Sequence, residues 1–120
     1  MAVVDATKET FSELTGSGLV LVYVWADSCR PCVALAPHMA TIAGANPDLT
    51  VVKLDASKAR RLCMSLQVRG LPTLLLLSDG EEVARISEPN LNADQVDAWL
   101  AAALEKSPTA PNHSGPDQEV

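Results

Sequence analysis

The run LVLVYVW, residues 19 to 25, is apolar without polar alternation, the pattern of a strand covered on both faces. LTVVKLDA (49 to 56) and TLLLLS (73 to 78) read the same way and predict a second and third internal strand. Asp79-Gly80 then predicts a tight turn into EEVARIS, so that the last two strands pair antiparallel. Between the strands the period lengthens. ATKETFSELTG sets Phe11 and Leu14 at i, i+3, with Asp5 or Thr7 as N-cap and Gly16 as stop. PCVALAPHMATIAG, residues 31 to 44, predicts a helix with Pro31 in its first turn, a kink at Pro37 and an end at Gly44. SKARRLCMSLQV predicts a short helix, and residues Ala93 to Glu105 a final one with Val96, Trp99, Leu100 and Ala103 on one stripe and Asn92 as cap.

Strands alternating with helices, then a hairpin and a closing helix, define an α/β architecture: a central mixed sheet with helices on both faces. With 120 residues and 48% hydrophobic composition, the chain can bury one core but not two. The expected domain spans 1 to 106. SPTAPNHSGPDQEV, 107 to 120, has three prolines and almost no large apolar side chain, so it reads as a disordered tail.

Charge narrows the partners. A net charge of −6 disfavours nucleic acid and anionic membranes, because both are polyanions. Arg60-Arg61, the only basic pair, reads as a solvated helix face. No basic segment followed by a long apolar run opens the chain, and Leu19 to Ala26 is too short to span a bilayer, so the expected compartment is the cytoplasm. In that reducing setting three cysteines do not make a disulfide framework, and a close pair points to catalysis or metal binding.

The close pair lies in VWADSCRPC, residues 24 to 32. Cys29 falls where a strand ends, and Cys32 in the first turn of the next helix, near enough for their sulfurs to bond. At the helix N-terminus Cys29 meets unpaired N–H groups and the positive end of the dipole, with Arg30 alongside; both favour thiolate. A thiolate attacks a disulfide sulfur, and a second thiol three residues on resolves the product. Exposure of the strand-to-helix corner makes Cys29 the attacker and Cys32 the resolver. Two other readings stay open: two packed thiols, or half a zinc site. Zinc needs four ligands, and the candidates left are Cys63, His38 and His113, none forming a second close pair. His38 reads as a surface or packing histidine, and Cys63, in LCMSL, as a core thiol.

From residue 3 to 105 the chain resembles the thioredoxin family in several ordered pieces: VWADSCRPC, Pro37, Lys53, and RGLPT (69 to 73) ahead of what the family pattern suggests is the last parallel strand. The resemblance implies the thioredoxin-like three-layer fold. It also implies dithiol/disulfide exchange on protein substrates through Cys29 and Cys32, with no bound cofactor or metal and with electrons from an external reductase or small thiol. Pro72 would be the family's cis-proline, and Trp25, Arg30, Pro31, Leu71 and Pro72 would form the substrate-facing surface. Nothing in the chain demands more than a monomer.

The departures from the family pattern fall around this pair. Tyr23 stands where thioredoxins carry a buried aspartate, Ser28 where a tryptophan precedes the first cysteine, Arg30 where a glycine separates the two, and SEPN (87 to 90) where a glycine follows the hairpin. A tyrosine is a poor base at neutral pH. An altered docking surface around an intact cysteine pair predicts a dedicated partner; the rival expectation is a binding module of the same fold with little redox turnover.

Overall fold

The computed structural model describes residues 3 to 106; the tail expected at 107 to 120 lies outside them. Strands β1 (Val4–Ala6), β2 (Leu19–Trp25), β3 (Leu49–Asp55), β4 (Thr73–Ser78) and β5 (Glu81–Ser87) form one sheet in the order β1-β3-β2-β4-β5. β1 and β2 both pair parallel with β3, whereas β4 is antiparallel to β2 and β5 antiparallel to β4. TLLLLS is therefore the first antiparallel strand, not the last parallel one. An apolar run carries no direction; the route of the preceding loop sets it.

β2 is buried along its length except at Trp25, and its alternate side chains serve two cores. Leu19, Leu21 and Tyr23 pack with Cys32, Leu35, Met39 and Ile42 of α2 (Arg30–Ala45) and with Val96, Leu100 and Ala103 of α4 (Ala93–Lys106). Val20, Val22 and Val24 pack on the other face with Phe11 of α1 (Phe11–Thr15) and Cys63 of α3 (Arg60–Ser65). This confirms the three layers. A strand buried on both sides has no polar side to show, which is why its sequence lacks alternation. No helix among the described residues is long and apolar enough to cross a membrane.

Local chemistry shifts several expected boundaries. The helix expected from residue 6 begins only at Phe11, because Val4 to Ala6 form an edge strand and the Thr7 hydroxyl accepts the N–H groups of Glu9 and Thr10 in a turn. Gly44 does not stop α2; Asn46 does, its side-chain amide donating to the Ile42 carbonyl at 2.8 Å. The helix expected at 57 to 68 divides into a 3₁₀ turn at Ala56–Lys58, capped by Asp55, and α3. Gln67 at φ 59° closes α3, and the Arg85 guanidinium of β5 takes the carbonyls of Leu66 and Gln67 at 2.8 and 3.0 Å.

The β4–β5 turn is the one Asp-Gly predicts, with φ of 50° at Asp79 and 87° at Gly80. It is tied to the start of β2, since Asp79 Oδ1 accepts the Gly18 N–H at 2.7 Å. Asn92 caps α4 reciprocally with Gln95, at 2.9 and 3.0 Å.

Candidate active site

β2 delivers the chain to the edge of the sheet at Trp25, and a turn closed by Cys29 N–H donating to Ala26 carbonyl sets up α2. Cys29 is the N-cap. Its backbone is extended (φ −98°, ψ 107°), Pro31 sits in the first turn, and its Sγ accepts the Cys32 N–H at 3.2 Å. Thus one of the orphan donors at this helix end points at sulfur, and it would stabilise negative charge there.

Cys29 and Cys32 are joined as a disulfide, with Cα atoms 5.2 Å apart. The two halves are unequal. Cys29 is partly exposed, while Cys32 is 0% exposed within the α2-side core. Trp25 and Leu71 pack against that same core, and the Leu71–Pro72 peptide is cis with Pro72 buried. Pro31 is half-buried and Arg30 is exposed, without a salt bridge among the described residues.

Three relationships here escape sequence reasoning. The Tyr23 hydroxyl donates to the Cys32 carbonyl at 2.7 Å, and burial pushes its pKa well above the ordinary tyrosine value. The Lys53 ammonium lies 4.4 Å from the centroid of the Trp25 ring, a cation–π contact on the strand beside the pair. Thr73 donates its hydroxyl to the Gly70 carbonyl at 2.6 Å and shares a hydrogen bond of 2.8 Å with the Ser87 hydroxyl. Ser87, first residue of SEPN, so braces the RGLPT loop. The only sequence signal for any of these was the polarity of Tyr23 and Lys53 inside apolar strands.

The remaining cysteine is elsewhere. Cys63 is buried and unpaired in the α1/α3-side core, so the sheet separates it from Cys32. Burial first, then the nearby Asp55 carboxylate, raises its thiol pKa. It is a core thiol, as the sequence suggests. His38 binds Asp97 at 2.7 Å between α2 and α4, away from any cysteine ligand set, and among the described residues no three His, Cys, Asp or Glu side chains gather as a metal site would require.

A dithiol/disulfide couple on a strand-to-helix corner of a three-layer α/β sheet is the site of a disulfide-exchange protein. The thioredoxin family model matches residues 2 to 102. Thioredoxin C-3 of Corynebacterium nephridii is 36% identical over 105 residues, 86% of this chain and 72% of that one. The thioredoxin of Acetoanaerobium sticklandii is 36% identical over 99 residues, 80% and 94% of the two chains. In shape, thioredoxin f2 of Chlamydomonas reinhardtii superposes with a TM-score of 0.76 at 23% identity, over 84% of this chain and 95% of that one. The chain belongs to the thioredoxin family, and its chemistry is thiol–disulfide oxidoreduction. Thioredoxins act on protein disulfides and are themselves re-reduced.

Proposed function

We propose that the chain reduces protein disulfides with Cys29 as attacking thiolate and Cys32 as resolving thiol, on a surface formed by Trp25, Arg30, Pro31, Leu71 and Pro72. The observation that carries this assignment is the inequality of the two sulfurs: Cys29 is reachable and receives the Cys32 N–H, whereas Cys32 is wholly buried. The Cys29 thiolate attacks one sulfur of the substrate disulfide, forming a mixed disulfide and releasing a substrate thiolate. The Cys32 thiolate then attacks Cys29 Sγ, breaking the mixed disulfide, releasing the second substrate thiolate and closing Cys29–Cys32. Two electrons pass to the substrate, and the released thiolates take up the two protons left by the protein thiols. An external reductase or small thiol returns the pair to the reduced state.

The domain we assign is 1 to 106, acting as a monomer in the cytoplasm. Val4, Val33 and Met64, the exposed large apolar residues among those described, sit on β1, α2 and α3 respectively. The unpaired Cys63 thiol suits a reducing compartment. Ser28, Arg30 and SEPN around the disulfide support a dedicated partner.

The test is trapping. Cys32→Ser should accumulate a covalent complex with a disulfide substrate, released by dithiothreitol, while Cys29→Ser should form none and lose insulin-disulfide reduction. Reduction that survives Cys29→Ser would refute the assignment.

A further inference from the structure

Lys8, Lys58, Arg60 and Arg61, four of the chain's nine basic residues, line one open cleft of about 330 Å³ that no carboxylate lines. All four are exposed, and none forms a salt bridge among the described residues. An adjoining cleft of about 240 Å³ shares Lys8 and Lys58 and adds Glu9 and Asp55. Asp55 is already engaged, its Oδ1 accepting the backbone N–H and the hydroxyl of Ser57 at 3.0 and 2.7 Å. The two clefts thus hold four cations against two carboxylates, a local charge of +2 on a chain of net charge −6.

Topology puts this charge at the same end of the sheet as the disulfide, with α3 on the face opposite α2. β1, β2 and β3 run parallel, so whatever follows their C-terminal ends emerges at one edge of the sheet. Lys8 follows β1, the disulfide follows β2, and Lys58, Arg60 and Arg61 follow β3, which is β2's immediate neighbour. Neighbouring strands are only about 5 Å apart. Arg69, just before the antiparallel β4, and Arg30, between the cysteines, are exposed at the same edge, where the exposed Asp27 and Glu88 offset them, so the excess positive charge is concentrated in the cleft itself.

Like charges gathered in the open repel one another, and the packing of the fold does not require them there. Their location gives them a use. We propose that the Lys8–Lys58–Arg60–Arg61 cleft docks an acidic polypeptide segment of the disulfide partner, holding the partner's disulfide over Cys29. This rests on the exchange reading above. The rest of the acidic surface repels such a partner while the cleft attracts it, so the field orients the encounter as well as hastening it.

The experiment uses the full chain, pre-reduced, in single-turnover reaction with two disulfide peptides of equal length, one carrying four Glu beside its disulfide and the other Gln in their place. At low salt the acidic peptide should react about five to ten times faster, and that advantage should vanish in about 0.5 M salt. Arg60→Glu with Arg61→Glu should reverse the preference. Equal rates for the two peptides at low salt would overturn the docking proposal while leaving exchange intact; failure to reduce either would sink the exchange reading and the docking with it. If a short oligonucleotide abolishes the acidic peptide's advantage more strongly than an equally charged Glu peptide does, the cleft is a phosphate site and the polypeptide assignment fails.

Discussion

The Tyr23 hydroxyl donates to the Cys32 carbonyl across 2.7 Å, so an uncharged phenol stands behind the buried half of the disulfide. Tyr23 is wholly buried, and desolvation of its phenolate holds the proton in place at neutral pH. At this position the chain has a hydrogen-bond donor and no base.

Tyr23→Phe should therefore cost about 1 kcal/mol, the net value of one buried hydrogen bond, read by urea unfolding at pH 7. Because the folded-state pKa is raised, the stability tied to the phenol proton is fully present below the unfolded tyrosine value near 10 and is lost as pH rises above it. Wild type should lose more stability than Tyr23→Phe between pH 8 and 10.5. Parallel pH curves for the two proteins would contradict the assignment.

Cys63 should be the silent thiol of the reduced protein. Its raised pKa and burial keep it protonated and shielded, whereas Cys29 is accessible. Iodoacetamide at pH 7, followed by mass mapping, should modify Cys29 at least about a hundredfold faster than Cys63. Rapid alkylation of Cys63 in the native state would show that the core opens there.

The Lys53–Trp25 contact should be worth about 1 kcal/mol, between the values for exposed and desolvated cation–π pairs. A double-mutant cycle of Lys53→Gln and Trp25→Leu in urea isolates it. Additive losses would mean that the ammonium merely lies near the ring.

Asn92→Ala should destabilise the fold by about 1 kcal/mol, since it removes the side-chain oxygen that accepts the Gln95 N–H, while the bond from the residue-92 backbone N–H to Gln95 Oε1 survives. The same substitution should leave insulin reduction unchanged under conditions where the protein stays folded. An unaltered unfolding midpoint would remove the cap from the stability of α4.

β2, β4 and β5 are legible in the sequence to the residue, because an unbroken apolar run ending in Asp79-Gly80 has one economical structure. The cysteine pair is legible too: a strand ending at Trp25 and a proline in the following turn place Cys29 at a helix N-terminus by chain connectivity alone. Such features are local, set by period, turn chemistry and spacing. β1 is not of this kind, since three residues with only Ala6 buried become a strand solely by pairing with Val52 to Leu54. The antiparallel direction of β4, the bond from Tyr23 to Cys32, the ring of Trp25 under Lys53 and the meeting of Lys8 with Arg60 and Arg61 likewise join positions distant in the chain. Sequence reports what each residue does with its neighbours; which strangers share an edge or a face is decided only when the whole sheet closes its two cores.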